Sequence, residues 1–120
     1  MPTLTLLSLS DSFTTMWPAL AAECGLGLAT VEAPAAFQRL SGTVGVVAAG
    51  GAEGELEGAV REAAGGPVML AAVGALPDHR LAAAVVRAGA ADYFALPGDY
   101  ELLRSWLRAR AEQLQAQLTR

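Results

Sequence analysis

The residues of this chain that could do chemistry are few and scattered. Asp11 follows the first apolar run, Cys24 and His79 are the single thiol and the single imidazole, and Tyr93 stands in a late apolar run. One cysteine and one histidine allow neither an internal disulfide nor a Cys/His zinc cluster. A Mg²⁺ site wants several oxygen ligands, including one or two carboxylates. A covalent mechanism wants a nucleophile beside a base or a metal. The glycine pairs Gly50-Gly51 and Gly65-Gly66 are not followed by a G-x-G-x-x-G or P-loop pattern, and no lysine is present to complete one. They read as turns rather than phosphate cradles. The expectation is a chain with no catalytic residue, no metal and no cofactor, and therefore not an enzyme.

The elements that would position these residues follow from the spacing of apolar runs and breakers. Thr3 to Leu9 reads as a buried strand that stops at Ser10-Asp11-Ser12. Phe13, Met16, Trp17, Leu20, Ala21 and Cys24 recur at helical spacing up to Gly25 and Gly27. Pro18 leaves two options there: a kinked helix, or one that begins near Trp17 with the proline in its first turn. Leu28 to Val31 forms a second strand, and Pro34 opens a brief helix through Leu40. Val44 to Ala49 is a third strand, followed by a helix from Glu53 to Ala64. Pro67 to Val73 is a fourth strand, followed by a helix from Pro77, with Asp78 in its first turn, to Ala88. Asp92 to Leu96 is a fifth strand, and Asp99 starts a long helix towards Leu118. Five strand-then-helix units with short Gly/Pro connections predict one α/β domain over 1–120, a doubly wound parallel sheet with helices on both faces.

In such sheets ligands and chemistry gather at the carboxyl ends of the strands. Those ends carry Ser10-Asp11, Ala48-Ala49-Gly50, Ala72-Val73-Gly74 and Leu96-Pro97-Gly98, among which Asp11 is the one charge. The expected mouth is apolar. Asp11 reads either as a residual metal ligand or as a cap of the first helix. Cys24 reads as core, His79 as solvated, and Tyr93 either as a conformational reporter or as a half-buried strand aromatic. Trp17 and Trp106 read as core or interface.

The segment Pro67 to Gly74, followed by Ala84-Val-Val-Arg-Ala-Gly-Ala-Ala-Asp-Tyr-Phe-Ala-Leu-Pro-Gly-Asp99, resembles the second half of a response-regulator receiver domain. Five βα units of matching length extend the resemblance over nearly the whole chain. The resemblance implies a flavodoxin- or CheY-like sheet of strand order 2-1-3-4-5. It also locates the family's phosphorylation site: the acidic pair on Ser10 and Asp11, the phosphoacceptor on Ala48, the strand-end hydroxyl on Ala72 and the lysine on Leu96. The switch aromatic is retained as Tyr93, and so is Pro97, whose peptide bond is commonly cis in the family. Phosphoryl transfer needs a carboxylate nucleophile, a metal and cationic or hydroxyl groups on the transferring oxygens. Methyl and isobutyl groups supply none of these. The resemblance thus implies a degenerate pseudo-receiver in two-component signal transduction. It would be a phosphorylation-independent regulatory domain, the N-terminal module of a bacterial signalling or transcriptional regulator. The alternative is a small-molecule sensor binding at the apolar strand-end pocket.

Composition bounds the partners. The chain is 53% hydrophobic and 17% charged, with net charge −4. The first pair of numbers suits a sheet covered on both faces, and the negative balance argues against direct nucleic-acid binding. The absence of a signal sequence or a long apolar run predicts a cytoplasmic protein without a membrane anchor. In the final helix, about 99–118, Leu102, Leu103, Trp106 and Leu107 are expected to cover the sheet. Ala111, Leu114 and Leu118 are expected to extend the stripe beyond it. Leu103, Leu107, Leu114 and Leu118 approximate a two-heptad seam. That seam and the fifth-strand face predict a homodimer, with the helix running on into a linker to an effector domain.

Overall fold

The computed structural model describes residues 1–118. Its strands are β1 (Thr3–Ser8), β2 (Gly27–Thr30), β3 (Thr43–Ala48), β4 (Met69–Gly74) and β5 (Asp92–Ala95). The helices are α1 (Met16–Glu23), α2 (Leu56–Ala63), α3 (His79–Ala88) and α4 (Tyr100–Leu118). A short 3₁₀ segment, Pro34–Arg39, stands where a brief helix is expected, and a 3₁₀ turn, Glu53–Glu55, leads into α2. Among the described residues the five strands make one parallel sheet in the order β2-β1-β3-β4-β5.

Local sequence explains the helix starts. Pro18 is the third residue of α1, a first-turn position where the missing N–H has no helical partner to lose. Asp78 precedes α3 rather than opening it. Its Oδ1 accepts the N–H groups of Arg80 at 2.8 Å and Leu81 at 3.3 Å, which is how an acidic N-cap satisfies orphan donors.

The sheet separates two apolar layers. On one face Leu4, Leu6, Val44, Val46, Ala48, Val73, Phe94 and Leu96 pack against Trp17 and Leu20 of α1 and Leu103, Leu107, Ala111 and Leu114 of α4. On the other, Leu7, Val47, Ala49, Leu70, Ala72 and Tyr93 pack against Phe37, Leu56, Val60 and Val85. Alternate residues of a strand face opposite sides, so a strand covered on both faces is apolar throughout. At the amino ends of the strands a buried Thr5–Thr43 hydroxyl pair, 2.8 Å apart, joins β1 to β3.

The last helix corrects two expectations. Leu114 is only 5% exposed and belongs to the core with Leu107, and Ala111 is buried beside them. The domain itself covers the stripe further along α4 than the sheet's apparent width suggests. Leu102, expected to cover the sheet, is 62% exposed instead, and of the proposed seam only Leu118 is free at 59%. A seam whose leucines are already buried within one chain cannot also join two chains. Leu114→Ala is therefore expected to lower stability by about 2–5 kcal/mol, whereas Leu118→Ala should change it by less than about 0.5 kcal/mol. Urea denaturation midpoints of the two variants check this.

Candidate functional site

At the carboxyl end of the sheet, side chains of the loops after β1, β3 and β5 hydrogen-bond to or pack against neighbouring loops and strand ends. After β1, the Ser10 and Ser12 hydroxyls both donate to the Gly50 carbonyl, at 2.7 and 2.8 Å. Phe13, in a left-handed conformation at φ 68°, lays its ring on Gly50. A Cβ at Gly50 would meet Phe13 Cε2 at 2.6 Å and Ser12 Cβ at 2.8 Å, so only glycine fits beneath the ring. Ala48, the last residue of β3, is 2% exposed, in the cluster against which Phe13 packs. Leu96 is 4% exposed and shares its apolar cluster. The structure thus brings Ala48 and Leu96 into one layer as packing groups.

Asp11 takes no part in this. It is exposed, and α1 begins five residues later at Met16, with no side-chain cap from Thr15 before it. The capping reading fails because the chain makes an extra turn through Phe13 before the helix starts. Among the described residues no group of three or more His, Cys, Asp or Glu side chains is arranged to hold a metal ion.

The fourth strand ends later than Ala72. Ala72 lies within β4, in register with Tyr93, and the strand continues two residues to Gly74. The residue at the strand's end is therefore Gly74, where a hydroxyl would have to stand. Its missing side chain leaves room for two others. A Cβ there would lie 2.6 Å from Tyr93 Oη and 3.1 Å from Glu53 Cγ and Oε2.

Glu53 is the functional-site residue that sequence reasoning missed. Its Oε1 accepts the Gly51 N–H at 3.0 Å and its Oε2 accepts the Ala75 N–H at 2.7 Å. The short-range half of this bridge, an acid two residues past a glycine turn, is visible in the sequence. The reach of 22 residues to Ala75 is not. The Tyr93 hydroxyl donates to the Leu76 carbonyl at 2.7 Å. Burial, and next the negative charge of Glu53, push its pKa from 10.0 up to about 12.

On the far side of β5, Asp99 Oδ2 accepts the Ala95 N–H at 2.9 Å and ties the Leu96-Pro97 turn, whose peptide bond is cis. Trp106 is half-buried against Phe94, ring centroids 6.1 Å apart and tilted by 57°. With Tyr93, Asp99, Leu102 and Ser105 these rings border an open cleft of 380 Å³ between β5 and α4. At the strand ends, a cleft between Ala75, Pro77 and Leu96 measures 180 Å³ and another, beside Ser8, Thr30 and Glu32, measures 260 Å³. Pockets for small molecules usually run to roughly 300–1,000 Å³. Both strand-end clefts fall below that range.

Two outcomes follow from this packing. Leu96→Lys should lower stability by about 1–3 kcal/mol, since an amine would enter an apolar layer without a partner; its denaturation midpoint reads this out. For Tyr93, a folded-state pKa raised above the unfolded value means the stabilisation is complete below pH 10.0. It is then lost as pH climbs towards about 12. Stability followed over that range should fall, and the fall should flatten in Tyr93→Phe.

No family model matches the sequence, and no curated protein matches it. Among solved structures, the fold is similar to that of a response regulator from Thermotoga maritima, with TM-score 0.62 and 19% sequence identity. The match covers 95% of this chain and 97% of that one. The chain accordingly has the five-stranded, doubly wound, flavodoxin-like fold of a response-regulator receiver, with strand order 2-1-3-4-5.

Proposed function

We propose that this chain is a receiver-like regulatory domain that acts by protein contact and without phosphorylation. It would serve in the cytoplasm as a module of a bacterial signal-transduction or transcription regulator. The observation that carries the reading is Ala48. The residue that closes β3 is a buried methyl group, in the same apolar cluster as Leu96, against which Phe13 packs. Phosphoryl transfer is mainly a matter of positioning and charge stabilisation, and this end of the strand holds neither a nucleophile nor a cation. The serine hydroxyls beside it are spent on the Gly50 carbonyl. The small volume of the cleft beside Leu96 also weighs against a ligand sensor at that place.

For contact, the α3–β5–α4 face supports the reading best. It combines exposed Leu102 with half-buried Trp106 beside an open cleft, and Val86 of α3 is exposed as well. Two-fold pairing is the commonest form of self-association, and this face would bury its apolar side chains against a second copy or an attached output domain. The interface is centred on Leu102 and Trp106, in place of the leucine seam.

Intact-mass measurement after incubation with acetyl phosphate and Mg²⁺ should show no phosphoryl adduct, and a stoichiometric Mg²⁺-dependent adduct would refute the reading. Ala48→Asp alone should also stay unmodified, because the cationic partner is still Leu96. Light scattering after size exclusion, at tens of micromolar, is expected to show a dimer that Leu102→Glu dissociates with the fold intact. A wild-type monomer would remove self-association from the proposal.

A further inference from the structure

We propose that Glu53 is an internal anion latch: its carboxylate ties the β3–α2 loop to the β4–α3 loop and thereby fixes Tyr93 at the edge of the α3–β5–α4 face. The inference deepens the phosphorylation-independent reading and rests on it. If no phosphoryl group ever enters the mouth, something in the chain has to set the state of the loops there.

The geometry is that of a bound ligand carried on a tether. Both oxygens of one carboxylate are used, one for Gly51 N–H at 3.0 Å and one for Ala75 N–H at 2.7 Å. Hydrogen bonds from backbone N–H to an ionised carboxylate are about twice as strong as neutral ones. The β4–α3 loop is consequently gripped from two sides at adjacent residues, Ala75 by Glu53 and Leu76 by the Tyr93 hydroxyl. Gly74 makes both grips possible, because a side chain there would occupy the space of Tyr93 Oη and Glu53 Cγ. Tyr93 in turn borders the cleft that holds Leu102 and Trp106. The chain of contacts runs from Glu53 through Ala75 and Leu76 to Tyr93, and ends at the face proposed for partner contact.

The latch predicts a coupled response. Glu53→Gln keeps size and shape, yet a carboxamide offers one acceptor and must present its NH₂ to the other N–H donor. In NMR experiments on the full chain, hydrogen exchange at the Ala75 or Gly51 amide should accelerate by about ten-fold or more. The Tyr93 ring and Trp106 indole resonances should shift with it. Gly74→Ala leaves every charge in place but puts a methyl group against Tyr93 Oη, so it should move the same two aromatic residues. Unchanged amide exchange in Glu53→Gln overturns the latch. Accelerated exchange with Tyr93 and Trp106 both unmoved also overturns it, since the bridge would then be a local loop tie. If Glu53→Gln does not fold, Gly74→Ala decides, and unmoved Tyr93 and Trp106 signals in that variant overturn the proposal. None of these readouts involves a phosphoryl donor. A failed latch therefore leaves the phosphorylation-independent reading standing, and a phosphoryl adduct would remove that reading whatever the amides do.

Discussion

All six residues of β3, from Thr43 to Ala48, are buried, and much else in the molecule depends on that one constraint. A central strand paired on both edges and covered on both faces has no water along its length. Its side chains must be apolar, small or hydrogen-bonded, as Thr43 is to Thr5 and to the Thr3 carbonyl at 2.6 Å. The close approach of the 3₁₀ segment Pro34–Arg39 follows. A Cβ at Gly45 would meet Leu70 at 2.6 Å and the Phe37 ring at 2.9 Å, so the strand is pared to its backbone where Phe37 enters the core. Charge can then appear only beyond the strand's carboxyl end, and at that end the chain has Ala48 and a glycine turn.

What the sequence made legible was governed by short-range rules. Apolar runs broken by Gly and Pro place the five strands within one or two residues, because parallel strands buried on both faces, as β1 and β3 are, have to be apolar. The mostly exposed edge strand β2 is marked by the breakers around it. The stretch from Arg87 to Pro97 carries the resemblance, and the strand order that it implies is the one the sheet has. Asp78 at the head of α3 and Pro18 in the first turn of α1 are local effects and can be read locally. The end of β4 was less clear. Nothing in Ala71-Ala72-Val73-Gly74 marks where pairing with β5 stops, and the strand runs two residues past Ala72.

The last helix and Glu53 were hidden for a different reason, since both depend on contacts distant in sequence. Whether Leu114 is a core or a surface residue turns on how far α1 and the amino ends of the strands reach beneath α4, which no periodicity states. A heptad-like spacing and a core stripe are the same pattern on a long helix. Burial separates them, and it assigns Leu107 and Leu114 to the monomer. Glu53 looks from sequence like one more acid at a helix start. Its second partner, Ala75, is a backbone amide, and backbone donors leave no trace in the residue names.

The carboxyl end of the sheet is filled by groups of the chain itself. Two neighbouring places there are filled by opposite means. Over β3 the fillers are neutral: a phenyl ring on Gly50, with two serine hydroxyls on its carbonyl. Over β4 the filler is charged, a carboxylate held by two N–H groups beside a tyrosine hydroxyl. The difference has a physical ground. Above Ala48 and Leu96 the layer is apolar on the α1/α4 side, and an anion there would be desolvated without a partner. Between the β3–α2 and β4–α3 loops, free backbone donors point outward from turns, and an acceptor with two oxygens satisfies both. Glycine at positions 50 and 74 is what admits each filler. The chemistry of this end of the sheet thus lies in backbone groups and in the absence of side chains, and the charge that settles there comes from the chain itself.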